Sequence, residues 1–142
     1  MAIKITFLGA GSSVFVRNVL GDCIIHPELE DLTFALYDID AQRLEDSYLM
    51  LHAICAHYGK SVKMEKYVGV EELPQALTGA NFLICAIQVG GYDPCTISDF
   101  EIPKKYGLRQ TIADTLGVGG VFRALRTIPV MEMFGQMAEK YC

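Results

Sequence analysis

Gly9 and Gly11 stand in IKITFLGAGSSV (Ile3 to Val14), an apolar run that enters a glycine turn and continues as a helix. The first glycine of such a turn allows a tight reversal. The second lets a phosphate approach the backbone where the first N–H groups of the helix converge. A second apolar run, LTFALY (Leu32 to Tyr37), ends in Asp38. A carboxylate at that point accepts hydrogen bonds from ribose hydroxyls and repels a 2′-phosphate. Together these residues read as a pyrophosphate seat and a ribose clamp, for NAD in preference to NADP. Ser12 or Ser13 is placed to cap the helix, and Val14 stands where the third glycine of GxGxxG would fall.

Other residues admit more than one chemistry. Asp40 reads as a helix N-cap. Arg43 either lies over the adenine or pairs with an acid on its own helix. Gln88, Val89, Gly90 and Gly91 follow the fourth apolar run, at the sheet edge where this architecture places its ligand crevice. There the glycines let backbone approach a cofactor, or they simply turn the chain. Asp114, Thr115 and the glycines at 117, 119 and 120 precede the last helix, whose N-terminus suits an anion or substrate oxygens. Arg123 and Arg126 share one face of that helix, as anion partners or as solvated charges. His52 and His57 lie about 140° apart around a helix, a poor grip for one metal. No His, Cys and carboxylate cluster with metal-ligand spacing is visible.

The elements that must hold these residues follow from periodicity. A helix after the first strand presents Phe15, Val16, Val19, Leu20 and Cys23 and ends before Pro27. A second helix, from about Ala41 to Tyr58, presents Leu44, Tyr48, Leu51, Ile54 and Cys55, with Gly59 as its C-cap. Val62 to Val68 predicts a third, less buried strand with Val62, Met64 and Val68 on one face. A short helix near Glu71 to Leu77 leads to Asn81–Ile87, a run apolar enough for a parallel strand covered on both faces. From Gln88 to Gly120 the pattern is irregular. A helix from Val121 to Tyr141 closes the chain, with Pro129 kinking or splitting it. The order βαβαβαβ predicts an α/β fold, a Rossmann-like doubly wound parallel sheet. Four strands are evident where that fold usually has six. Residues 1–142 therefore read as an NAD-binding domain that is the first part of a longer protein.

Composition narrows the partners. A net charge of −5 and the absence of any Lys/Arg cluster argue against nucleic acid and anionic membranes. No apolar run approaches the roughly 20 residues that span a bilayer, and the N-terminus does not read as a signal peptide. The five cysteines are odd in number, scattered and without a CxxC pair, which points to the cytoplasm.

The blocks GAGSSVFVRNVLGD, LYDIDAQRLEDS, QVGGYDPCTISDFEIPKKYGLRQTIADTLGVGG and FRALRTIP resemble the N-terminal part of glycoside hydrolase family 4, in its α-galactosidase (melibiase) branch. That family departs from the two-carboxylate scheme of glycosidases. The resemblance implies a lactate/malate dehydrogenase-like fold, NAD and Mn²⁺ as cofactors, and hydrolysis through transient oxidation at C3 of the sugar, elimination and water addition. It places Gly9, Gly11, Ser12 and Asp38 in the NAD motif and Gln88, Val89 and Gly90 in the cofactor-side loop. Gln110 and Asp114 fall at the border of the sugar site. The metal ligands fall beyond residue 142, and the catalytic base is not identified. An α-galactoside substrate and a homo-oligomer are implied as well. The competing readings are a dehydrogenase of the lactate/malate type and a non-catalytic NAD-binding fragment.

Overall fold

The computed structural model describes residues 2–111 and 116–142. Strands β1 (Ile3–Leu8), β2 (Leu32–Asp38), β3 (Lys63–Val68) and β4 (Phe82–Cys85) form one sheet in the order β3-β2-β1-β4, with every neighbouring pair parallel. The connections are helices α1 (Ser13–Ile25) and α2 (Ala41–Tyr58), then a tight turn (Val70–Glu72) running into the short α3 (Leu73–Leu77). The strand order reverses between β1 and β4, and the crevice outside the carboxyl ends of such strands is the ligand site of doubly wound sheets. Gly9 lies at that end of β1.

The chain falls into two compact units, residues up to Ile87 with Met137–Cys142, and Gln88–Gln136. In the first unit, β1 and β2 supply Phe7, Phe34 and Leu36, which pack with Val16, Leu20 and Ile24 of α1 and Leu44 and Leu51 of α2. Each such side chain contributes about 1.5–3 kcal/mol by leaving water. Gly21 is buried on α1 and lies against Ile54 of α2. Polar bonds fix the register of β4: Lys4 N–H donates to Asn81 Oδ1 (2.8 Å) and Asn81 N–H donates back to Lys4 O (2.9 Å). Thr6 Oγ1, fully buried, donates to Ala76 O (2.7 Å), and Lys4 Nζ donates to Thr78 O (2.7 Å) at the end of α3.

Several expectations change. Phe15 is 60% exposed and lies off the packed face of α1, which is built from Val16, Leu20, Gly21 and Ile24. β4 is not covered on both faces: Phe82 is 58% and Leu83 38% exposed, because among the described residues β4 pairs only with β1. On β3, an edge strand, Met64 is half-buried but Val68 is exposed.

In the second unit the expected irregular stretch contains a turn (Gly91–Thr96) and α4 (Ile97–Lys104). The last helix, α5, begins at Gly117 and runs to Tyr141 with Pro129 inside it. A proline leaves the carbonyl four residues earlier without its donor. That residue is Leu125, on an exposed part of the helix (69% exposed).

Candidate dinucleotide-binding site

β1 runs straight into the glycine turn, and the turn is tied to the end of β2. Gly9 N–H and Ala10 N–H both donate to Tyr37 O (2.9 and 2.8 Å). Gly9 adopts φ +90°, and a Cβ there would lie 2.5 Å from the carbonyl oxygen of Ala86. Its glycine character is therefore demanded twice, by backbone conformation and by the chain leaving β4. Gly11 is demanded by its neighbours: a Cβ would lie 2.8 Å from Asp38 Oδ2 and 3.0 Å from the Cβ of Arg43.

Asp38 sits where the sequence predicts, and its carboxylate is anchored. Gly11 N–H donates to Oδ2 (2.6 Å) and Asp40 N–H donates to Oδ1 (2.9 Å). Asp40 is the N-cap of α2, its Oδ1 accepting from Gln42 N–H (3.0 Å) and Arg43 N–H (3.1 Å). Gly59, at φ 62°, closes the other end of that helix. Burial and the neighbouring Asp38 charge push the Tyr37 phenol above its ordinary range.

Ser12 is the N-cap of α1 and Ser13 its first residue, but no side chain caps the helix. The Ser12 backbone (φ −82°, ψ 79°) departs from the extended geometry in which a cap oxygen turns back to the first amides. The first turn also holds no acid, and Val14 in it is 59% exposed. A 13-residue helix thus presents an uncapped, positively polarised N-terminus beside Gly11. These features fit a dinucleotide: a cradle that a Cβ would fill, open N–H groups for a pyrophosphate, and a carboxylate with acceptor capacity left for a ribose.

In the second unit, Gln88 and Gly90 are exposed and Val89 is half-buried. Gln88 Nε2 donates to Thr96 Oγ1 (2.7 Å). Gly90, at φ +87°, has Cys95 and Arg126 packed where a Cβ would stand. Arg126 is no solvated helix charge. Its guanidinium makes a two-pronged bond to Asp99, Nη1 to Oδ1 at 2.9 Å and Nη2 to Oδ2 at 2.6 Å, and Asp99 is 3% exposed. The Asp99 partnership was invisible in the sequence, where nothing links residues 27 apart on different helices. Gln110 spends both amide atoms on nearby backbone, Oε1 accepting from Gly119 N–H and Nε2 donating to Leu116 O, each at 3.1 Å. Asp114 and Thr115 lie outside the described residues.

Among the described residues no three His, Cys, Asp or Glu side chains are grouped to hold a metal ion, and no helix is long and apolar enough to cross a membrane. No disulfide joins any of the five cysteines, and burial raises the thiols of Cys23, Cys55, Cys85 and Cys142.

The family model for family 4 glycosyl hydrolases matches residues 4–142. An α-galactosidase of Bacillus subtilis is 54% identical over 139 residues, covering 98% of this chain and 32% of that protein. An α-galacturonidase of Thermoanaerobacter italicus is 34% identical, covering 99% and 29%. The chain thus spans about a third of the length of these relatives. Among solved structures, a 6-phospho-α-glucosidase from gut microorganisms in complex with NAD and glucose-6-phosphate superposes with a TM-score of 0.85 at 25% identity, covering 99% of this chain and 31% of that one. A 6-phospho-β-glucosidase of Thermotoga maritima with manganese, NAD⁺ and glucose-6-phosphate gives 0.80 at 26% identity, covering 97% and 32%.

Proposed function

The chain belongs to glycosyl hydrolase family 4, and on that premise we propose that it forms the NAD seat of an NAD- and Mn²⁺-dependent α-galactosidase. The galactoside is supported by identity, 54% to the B. subtilis α-galactosidase against 34% to the α-galacturonidase. The observation that carries the cofactor reading is the 2.6 Å bond from Gly11 N–H to Asp38 Oδ2, beside the uncapped start of α1 at the strand-order reversal.

Bound NAD supplies a reversible hydride acceptor: C3 of the sugar is oxidised, the C2 proton becomes removable, the aglycone is eliminated, water adds and the hydride returns. This chain's residues bind and orient. The N-terminus of α1 takes the pyrophosphate, Gly9 and Gly11 keep the backbone open to it, and Ser12, Ser13 and Val14 form the rim. Asp38 takes the ribose hydroxyls, with Arg43 beside it. Gln88, Val89 and Gly90 serve the cofactor side of the loop after β4, and Asp114 borders the sugar. Gln110 is held at the start of α5, both its amide atoms being committed to the backbone of Leu116 and Gly119. Manganese enters the proposal from the T. maritima relative. The described residues offer it no ligand set, so no step through the metal is derived from them.

The test is hydrolysis of a chromogenic α-galactoside by the protein carrying this chain, with NAD⁺ and Mn²⁺ added or withheld. The proposal expects release that needs both and leaves no net reduced nicotinamide. Stoichiometric NADH would instead indicate a dehydrogenase, and NAD binding without hydrolysis under any metal would leave a nucleotide-binding module.

A further inference from the structure

We propose that Asp99 and Arg126 are positioning residues: their ion pair wedges the Arg126 guanidinium against Gly90 and so sets the shape in which the loop after β4 meets the nicotinamide half of the cofactor. The inference rests on the NAD reading above and adds to it the device that fixes this loop.

The loop needs one. Gly90 (φ +87°) and Gly91 (φ +67°) stand in succession in left-handed backbone, and two glycines together give a chain more freedom than any pair with side chains. The strand order gives the loop its task. A dinucleotide with its pyrophosphate at the end of β1 and its ribose at Asp38, the end of β2, has its other half directed to the opposite side of β1, where β4 ends.

Three ties close on the loop. Gln88 Nε2 donates to Thr96 Oγ1 (2.7 Å), and Thr96 Oγ1 donates to Gly91 O (3.4 Å). The third is a wedge at Gly90. A Cβ there would lie 2.8 Å from the Cβ of Cys95 and 3.4 Å from Nε of Arg126, so these two side chains pack on the bare face of the glycine. Arg126 Nε is buried and has no hydrogen-bond partner among the described residues. A buried donor left unpaired is unfavourable, so the packing at Gly90 does not by itself draw the guanidinium there. Asp99 does. It lies on the first turn of α4, its side chain is 4% exposed, and it accepts from both Nη groups, at 2.9 and 2.6 Å. A buried ion pair adds little net stability, yet its two-pronged geometry is exacting. The pair is thus better suited to fixing Arg126 than to holding the fold. All of these residues lie in the second compact unit.

The test uses the protein that carries this chain, with Asp99→Asn, Arg126→Lys and, as a control, Glu101→Gln, which breaks an exposed ion pair to Lys104 on the same helix. Lysine keeps the charge of Arg126 and loses Nε and the two-pronged bond. Galactoside turnover is measured at saturating NAD⁺ and Mn²⁺, ADP affinity by calorimetry and folding by thermal melts. ADP reports on the glycine turn, because it carries no nicotinamide. Both pair variants should lose kcat by about tenfold or more, the scale on which a small misplacement slows a reaction. Galactoside KM and ADP affinity should stay within about twofold, and Glu101→Gln should match native protein. A smaller loss of kcat overturns the inference. So does an equal loss in the control, or a larger change in ADP affinity or galactoside KM, which would mark general damage or a role on the sugar side. Should a pair variant not fold, Cys95→Ala decides: it leaves the ion pair whole and removes the other side chain at Gly90. It should lower kcat by about threefold or more with ADP affinity kept, and a smaller loss overturns the inference. These outcomes leave the NAD reading standing. If native protein shows no NAD⁺-dependent turnover, that reading fails and takes the inference with it.

Discussion

The carboxylate of Asp38 takes one backbone N–H on each oxygen, which leaves one acceptor position on each for a ribose hydroxyl. Asp38→Ala should weaken NAD⁺ binding by about 1–3 kcal/mol, the worth of a hydrogen bond to a charged group. Calorimetric titration measures this, and unchanged affinity would remove the ribose role. Gly9 makes a separate claim. At φ +90° against Ala86 O it tolerates no side chain, so Gly9→Ala should destabilise the fold by roughly 1–3 kcal/mol from backbone strain alone. A denaturant midpoint equal to the native one would show the turn to be slacker than it is drawn. Gly9, Gly11, Asp38 and Asp40 were legible because each answers to a local rule of turns and caps. Ser12 does take the N-cap position of α1, but its side chain makes no capping bond, because residue type does not fix the N-cap ψ angle that aims the side chain. The Asp99–Arg126 pair was beyond reach because it joins two helices whose packing no local pattern encodes.

Helix α1 shows the tension between stability and binding. It lacks both a side-chain cap and an acid in its first turn, which leaves its N-terminal polarity for a ligand. Val14→Glu should favour the free helix by about 0.3–1 kcal/mol through the dipole and weaken NAD⁺ binding by repelling the pyrophosphate. Thermal melts and NAD⁺ titrations on the same sample measure both effects. A variant that binds NAD⁺ as well as native protein would rule this helix end out as the seat. Strand β3 gives a pH prediction. Burial and the bond it donates to Glu65 push the Tyr67 phenol from 10 up to about 12. A raised folded value means that the phenol's contribution is whole below about pH 10 and is lost as pH climbs toward 12. Tyr67→Phe should therefore flatten part of the alkaline stability loss in that window, and equal slopes for the two proteins would refute the assignment. The βα alternation through β4 was readable because strand and helix periods differ so clearly there. Helix α4 was not, since Asp99 and Pro103 interrupt its apolar pattern, and the exposure of β4 reflects its place at the sheet edge rather than its composition.

For the whole chain the argument becomes one of linkage. A ligand that binds only the folded state stabilises it by RT ln(1 + [L]/Kd), about 2.7 kcal/mol at a hundredfold excess over Kd. For a chain of this length that amounts to an increase in melting temperature on the order of 5–10 °C. NAD⁺ should produce such a shift, because the seat proposed for it is the turn that ties β1, β2 and the start of α1 together. In Asp38→Ala the same NAD⁺ concentration should give a smaller shift, while the ligand-free melting temperature reports separately on the lost bonds to Gly11 and Asp40. These two readings separate binding from structural support, which a single activity assay would merge. A native melting temperature indifferent to saturating NAD⁺ would mean that the glycine turn is only a turn, whatever the family of the chain.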